Sequence, residues 1–247
     1  MNLLYEKIEE YLNKYDKNNA MLSLYIDTPF CRSNCTYCIY KSLEFNEAQL
    51  KEYEKVLVER LLSFDTLFDK YPVDTLYFGG GTPSLLSYGT LSKIKDAIPY
   101  YNKIKTIKTE AHPSDMNSER IDFYANEMNI NVVSLGVQSF NHDSCLKQKR
   151  IFVSEDEVAQ IVNKLKKKNI WVNIDLVALF GGDTENDWNI FENDIKIACE
   201  TVVPDVITCV PNYRTKMDYI EQLVRFRQIL RDECYKTKYC SPSDSML

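Results

Sequence analysis

Short runs of β-branched and aromatic residues alternate along the chain with longer stretches whose apolar positions recur at helical spacing. The pattern predicts strands over 21–26, 73–78, 104–111, 130–137, 170–180 and 205–210. Each is followed by a predicted helix, over 46–64, 88–98, 118–128, 154–168, 185–200 and 216–231. Six βα units in series imply a parallel sheet with helices outside it. Six are too few for a closed eight-stranded barrel, which leaves an open, partial barrel or a doubly wound sheet. The uncommon residues favour the barrel. A cysteine trio follows the first strand and Gly79–Pro83 the second, while Glu110 and Gln138 end the third and fourth. Asp175 lies within the fifth strand, ahead of Gly181 and Gly182, and Pro211, Asn212 and Tyr213 follow the sixth. Barrels of βα units build their sites at these strand ends, whereas a dinucleotide-binding sheet concentrates glycines after its first strand.

Composition narrows the picture. With 45% apolar residues the 247-residue chain can bury a sizeable core, which excludes a disordered class. Thirty Lys+Arg against thirty-six Asp+Glu give a net charge of −6, a poor footprint for nucleic acid. No run approaches the ~20 apolar residues of a membrane helix. The charged amphipathic N-terminus lacks the features of a signal peptide. The expectation is a cytoplasmic protein with no nucleic-acid and no membrane partner. Its parts are an N-terminal helical segment (1–20), the barrel (21–213) and a C-terminal helix and tail (214–247).

A reducing compartment disfavours disulfides among the eight cysteines. Cys31, Cys35 and Cys38 fall within eight residues, and a tight trio reads as a metal site first. Structural zinc takes four ligands, and no fourth Cys or His lies nearby. Three thiolates around a cubane would leave one iron open for chemistry. Taken alone, the trio fits that cluster, a zinc loop completed from afar, or plain buried thiols. Cys145 and Cys199 read as packing or surface thiols, and His142 as a surface residue. Cys209 falls on the sixth strand, facing the barrel, where with Cys234 and Cys240 it forms a weak candidate for an auxiliary cluster.

The text around these cysteines is more specific. Cys31-x3-Cys35-x-Tyr37-Cys38 resembles the signature of the radical S-adenosylmethionine (SAM) superfamily. The segment 24–31 (LYIDTPFC) is similar to the oxygen-independent coproporphyrinogen III oxidase subgroup. So are FGGGTPS over 78–84, EAHP over 110–113, SLGVQSFN over 134–141 and NIDL over 173–176. They occur in order, one per βα unit, and the resemblance covers about 22–184.

The resemblance implies a partial (β/α)6 barrel of the radical SAM type. Cys31, Cys35 and Cys38 would hold a 4Fe–4S cluster whose fourth iron is chelated by SAM. One electron then cleaves SAM to methionine and a 5′-deoxyadenosyl radical. Gly80, Gly81 and Thr82 match the motif that meets the methionine end, where glycines let backbone approach the ligand. Tyr37 matches the position beside the adenine, and Tyr25 a tyrosine near the sulfonium. Glu110, Gln138 and Asp175 match cofactor-contacting positions. Arg150 suits the arginine that binds the cofactor carboxylate through a bidentate fork, although Lys147–Arg150 also reads as a solvated basic face. An Asp175 buried in an apolar strand needs a partner in any case, a salt bridge being the plain alternative.

The chain also departs from the subgroup. Asp27 stands where His is usual, so with Tyr25 it becomes a catalytic candidate near the substrate. His112 stands where Asn is usual, and the loop after the fifth strand differs. The leading expectation is a radical SAM enzyme acting on an unidentified small molecule or peptide, with an electron donor such as flavodoxin or ferredoxin. One alternative is a class C-type methyltransferase using two SAM molecules; another is a heme-binding chaperone without oxidase activity. The length leaves no room for the C-terminal domain usual in relatives. That leads us to expect either a minimal member, covered by a partner, an oligomer or a large substrate, or a shortened chain.

Overall fold

The computed structural model describes residues 21–40, 42–181, 185–212 and 219–237, with a few positions before residue 21. Six parallel strands form one sheet: β1 (Leu22–Thr28), β4 (Val73–Gly80), β5 (Thr106–Ala111), β6 (Val132–Gln138), β7 (Trp171–Ala178) and β8 (Val206–Pro211). They pair in that order, and β1 and β8 are its edges, so the barrel is partial and open. A small parallel ribbon, β2 (Phe30–Cys31) and β3 (Leu43–Glu44), brackets the cysteine loop.

Helices follow the strands on the outer face: α1 (Glu47–Leu62), α2 (Asp65–Lys70), α3 (Tyr88–Ala97), α4 (Ser118–Asn126), α5 (His142–Lys147), α6 (Glu155–Lys167), α7 (Glu185–Ile197) and α8 (Tyr219–Thr237). Their starts are set by side chains that satisfy orphan backbone donors. Asn46 accepts from the Gln49 N–H at 3.0 Å to open α1. Ser154 and Glu157 form a reciprocal capping box at α6. The helix expected over 46–64 ends at Ser63 and is followed by separate α2. The helix expected to reach residue 200 stops at Ile197 and continues as a π-turn, Ala198–Val202. α5 fills a stretch expected to be loop.

Strand residues alternate between two faces. Leu76 and Phe78, Ile107, Val133 and Leu135, and Val172 and Ile174 are all but inaccessible under the helices. Their neighbours Tyr77, Glu110, Ser134 and Asp175 sit on the concave face. Cys209 packs against the helix-side core while the next residue, Val210, lines the concave side. This corrects the expectation that Cys209 faces the barrel. Cys145 and Cys199 are buried, and His142 is more than half exposed. Most of the expected N-terminal helical segment, Gly182, Tyr213 and Cys240 lie outside the described residues, as does the side chain of Cys234.

Asp194 of α7 locks the core to the site. It is buried and accepts hydrogen bonds from Ser139 Oγ at 2.6 Å and the Phe140 N–H at 2.9 Å. It thereby fixes the loop leaving β6. Burial pushes its carboxyl up from 3.8 to about 7, against the pull of both hydrogen bonds. A carboxyl with a higher pKa folded than unfolded binds more protons in the native state, so its ionisation lowers stability as pH rises through that window. Urea unfolding between pH 4 and pH 8 should show this decline. Asp194→Asn should flatten it, and an equally steep decline in the variant would contradict the assignment.

Candidate functional site

The C-terminal ends of the strands open into one cavity of about 570 Å³. The cysteine loop forms one wall. Glu110 of β5, Ser134, Gly136 and Gln138 of β6, Asp175 and Val177 of β7, and Val210 of β8 form the rest.

Cys31, Cys35 and Cys38 are outside any disulfide, and their side chains are half-buried at the cavity. Cys31 Sγ accepts from Thr82 Oγ1 at 3.4 Å. Cys35 Sγ lies 3.9 Å from the Lys149 carbonyl and 3.8 Å from Arg150 Nη1. Cys38 Sγ lies 3.7 Å from the Tyr40 carbonyl. The loop is clasped at both ends. Arg32 Nε pairs with Asp115 Oδ1 at 3.0 Å, and Asp115 Oδ2 accepts from Ser84 Oγ at 2.8 Å. At the far end the Thr36 N–H donates to the Gln148 carbonyl at 3.1 Å, and their side chains also bond.

The glycine turn after β4 is shaped by close approach. Gly80 has φ +101°, a conformation few residues with a Cβ adopt. At Gly81 a Cβ would lie 2.6 Å from the Phe30 carbonyl oxygen and 3.0 Å from Cys31 Sγ. The Gly81 N–H donates to the Thr28 carbonyl at 2.6 Å, drawing the turn against the start of the cysteine loop.

Polar groups line the opposite wall. Asp175 makes no salt bridge among the described residues; Ser134 Oγ donates to it at 2.9 Å and Asn173 Nδ2 at 2.8 Å. Thr208 Oγ1 in turn donates to Asn173 Oδ1 at 2.8 Å. Tyr77 Oη donates to Glu110. Burial raises the pKa of both carboxyls, and these hydrogen bonds oppose the rise. Burial, followed by the charges of Arg150 and Arg32, holds His112 neutral, at about 3. Its Nδ1 accepts from the Ser114 N–H at 3.1 Å, which leaves the ring proton on Nε2. Arg150 is half-buried with its Nη2 on the Gly136 carbonyl, so it is not the solvated basic face that the run of charges allowed.

A profile of the Radical SAM superfamily matches residues 25–193, well over half of the chain. The chain belongs to the radical SAM superfamily. Among curated relatives, the heme chaperone HemW of Lactococcus lactis is 31% identical over 188 residues, covering 74% of this chain and 47% of the relative. The anaerobilin synthase of Escherichia coli O157:H7 is 29% identical over 181 residues, 71% of this chain and 40% of the relative. The chain therefore spans about half the length of the curated relatives it matches. Coproporphyrinogen III oxidase (HemN) of Escherichia coli shares the fold: its structure superimposes with a TM-score of 0.78 at 18% identity, over 94% of this chain and 56% of that one.

Membership in the radical SAM superfamily implies a 4Fe–4S cluster and SAM, and the residues present fit them. Three soft thiols border one cavity, and Gly81 leaves the space that a side chain would fill beside Cys31. Among the described residues no three His, Cys, Asp or Glu side chains converge on a single ion, as a mononuclear zinc site needs. Of the residues singled out from sequence, the three cysteines, Tyr37, Gly80, Gly81, Thr82, Glu110, Gln138, Arg150 and Asp175 line the cavity. Tyr25 and Asp27 do not. Tyr25 is half-exposed on β1, its ring filling the space left by Gly79 and meeting Tyr77 edge-on at 5.2 Å. Asp27 faces Gly80 from the same strand. Tyr77, Ser134 and Asn173 were not singled out. Of these only Asn173 has a signal along the chain, its two-residue spacing from Asp175; Ser134 and Tyr77 are placed by strand register, Ser134 opposite Glu110 and Asn173 and Tyr77 opposite Lys108.

Gly81→Ala should break the contact between the glycine turn and the cysteine loop. After anaerobic reconstitution the variant is expected to retain several-fold less iron and sulfide per chain than wild type. Equal content would show that the turn does not support the loop.

Proposed function

We propose that this chain is a radical SAM domain that binds a 4Fe–4S cluster and SAM and cleaves SAM by one-electron reduction. The observation that carries the reading is the cavity itself, bordered by three cysteine thiols, a glycine turn and the hydrogen-bonded carboxyls of Glu110 and Asp175. When bound, the cluster and SAM together supply a 5′-deoxyadenosyl radical that abstracts hydrogen from a substrate.

The chain's own residues then have distinct tasks. Cys31, Cys35 and Cys38 each hold one iron and leave the fourth to the cofactor. The backbone carbonyls of Gly80 and Gly81 accept from the amine at the methionine end of SAM, and Thr82 completes the turn. Glu110 and Asp175 accept hydrogen bonds from the cofactor's amine or hydroxyl groups, pre-oriented by Tyr77, Ser134 and Asn173. Gln138 projects from a strained backbone, φ +73°, a conformation that costs free energy and often marks a functional wall. Tyr25 and Asp27, on edge strand β1, lie outside the cavity lining and support the glycine turn, packed against Gly79 and Gly80. A low-potential protein such as flavodoxin or ferredoxin supplies the electron.

The substrate reading follows the relatives, several of which carry the name heme chaperone HemW. We infer a planar, largely apolar tetrapyrrole. Ile39 and Tyr40, both largely exposed, extend the cavity rim as an apolar shelf. Two readings of that substrate differ in outcome: chemistry on the tetrapyrrole, or its capture without turnover.

Anaerobic reconstitution with iron, sulfide and a reductant, followed by SAM, tests the central reading. Wild type should release 5′-deoxyadenosine and methionine in equal amounts, and Cys35→Ala should release neither. Titration with heme under the same conditions separates the two substrate readings. One heme retained per chain with no change in its absorption over many hours favours capture, whereas SAM-dependent consumption favours chemistry. Retained heme together with no cleavage of SAM, even with tetrapyrrole present, would remove the enzyme reading.

A further inference from the structure

Arg150 carries an arrangement that ligand binding alone does not call for. Its Nη2 donates to the Gly136 carbonyl. Its Nη1 reaches Tyr37 Oη at 3.3 Å and Cys35 Sγ at 3.8 Å. Gly136 leaves room for this seat, since a Cβ there would lie 3.1 Å from Arg150 Nη2 and 3.0 Å from Gln138 Nε2. The guanidinium forms no salt bridge among the described residues, and it crosses from the turn after α5 to the cysteine loop. A full positive charge is thus fixed beside one of the three cluster thiols, with an N–H aimed at its sulfur.

We propose that Arg150 tunes the cluster, its Nη1–H donating to the Cys35 sulfur and favouring the reduced state. The inference rests on the cluster reading above and goes beyond cofactor-carboxylate binding, which the remaining donors of the fork leave open. The physical basis is general. Reduction adds one negative charge to an iron–sulfur cluster, and hydrogen bonds to its sulfurs together with nearby cations stabilise that charge, raising the potential. Tyr37 serves as the strut. Its phenol is half-buried and shares Nη1 with Cys35, so it holds the guanidinium at the sulfur.

The test is a potentiometric titration of the reconstituted chain without SAM, followed by electron paramagnetic resonance, with iron and sulfide counted on each sample. Arg150→Gln should disfavour reduction about tenfold, a midpoint about 59 mV more negative for a one-electron couple. Arg150→Lys, which keeps the charge but loses the fork, should fall between. Tyr37→Phe should move the midpoint in the same direction by less. Midpoints equal to wild type in Arg150→Gln, or in both other variants should the Gln variant lose its cluster, would overturn the proposal. Arg150 would then serve SAM alone, visible as weakened SAM binding at an unchanged potential. A wild-type chain that takes up no iron and sulfide overturns the cluster reading as well, and the metal count reveals that before any titration begins.

Discussion

The cysteine loop has little regular structure of its own, and its shape is imposed from two sides. Arg32 is tied to Asp115, whose second oxygen is held by Ser84 after the glycine turn. Thr36 is tied to Gln148, at the turn that also delivers Arg150. An ion pair with one nearly buried partner resists screening better than an exposed one. Asp115 is that partner here, its side chain 7% exposed. The loop is therefore positioned by elements following β4, β5 and β6. It can present three thiols to the cavity only once those strands are in register.

The same dependence runs through the rest of the site. Parallel pairing sets Thr28 of β1 opposite Gly80 of β4, so the loop leaving one strand and the turn leaving the other share a corner. The register between β6 and β7 shifts between Gly136 and Gln138. That irregularity turns Gln138 toward the cavity, while the neighbouring Gly136 makes room for Arg150. Asp194 then pins the segment that follows. Backbone geometry, rather than any single strong interaction, brings the cofactor-facing groups together. Burial does the electrostatic work. It holds His112 neutral and leaves Glu110 and Asp175 easier to protonate than usual, so their hydrogen-bond partners fix how each faces a ligand.

Much of this was legible along the chain. Hydrophobic periodicity gave all six strands of the sheet within a few residues, because strands buried under helices need apolar residues at alternate positions. Asn46 and Ser154, where two helices were expected to begin, are the caps of α1 and α6. The break at Ser63, the π-turn at Ala198–Val202 and the short helix α5 could not be read along the chain, because each is decided by packing between elements distant in sequence. In the site, glycines and cysteines stood out by rarity. Tyr77, Ser134 and Asn173 did not, since an ordinary polar residue in a strand gains meaning only when its face is known. Cys209 shows the converse: strand membership was clear, and one position of phase decided which side it faces.

The most direct test of the account is electron paramagnetic resonance of the anaerobically reconstituted, reduced chain, recorded before and after SAM is added. Three protein thiolates and an open iron predict the signal of a reduced 4Fe–4S cluster, with g-values that shift when SAM binds. A cluster signal that SAM leaves unchanged, or zinc bound with no sulfide, would contradict it.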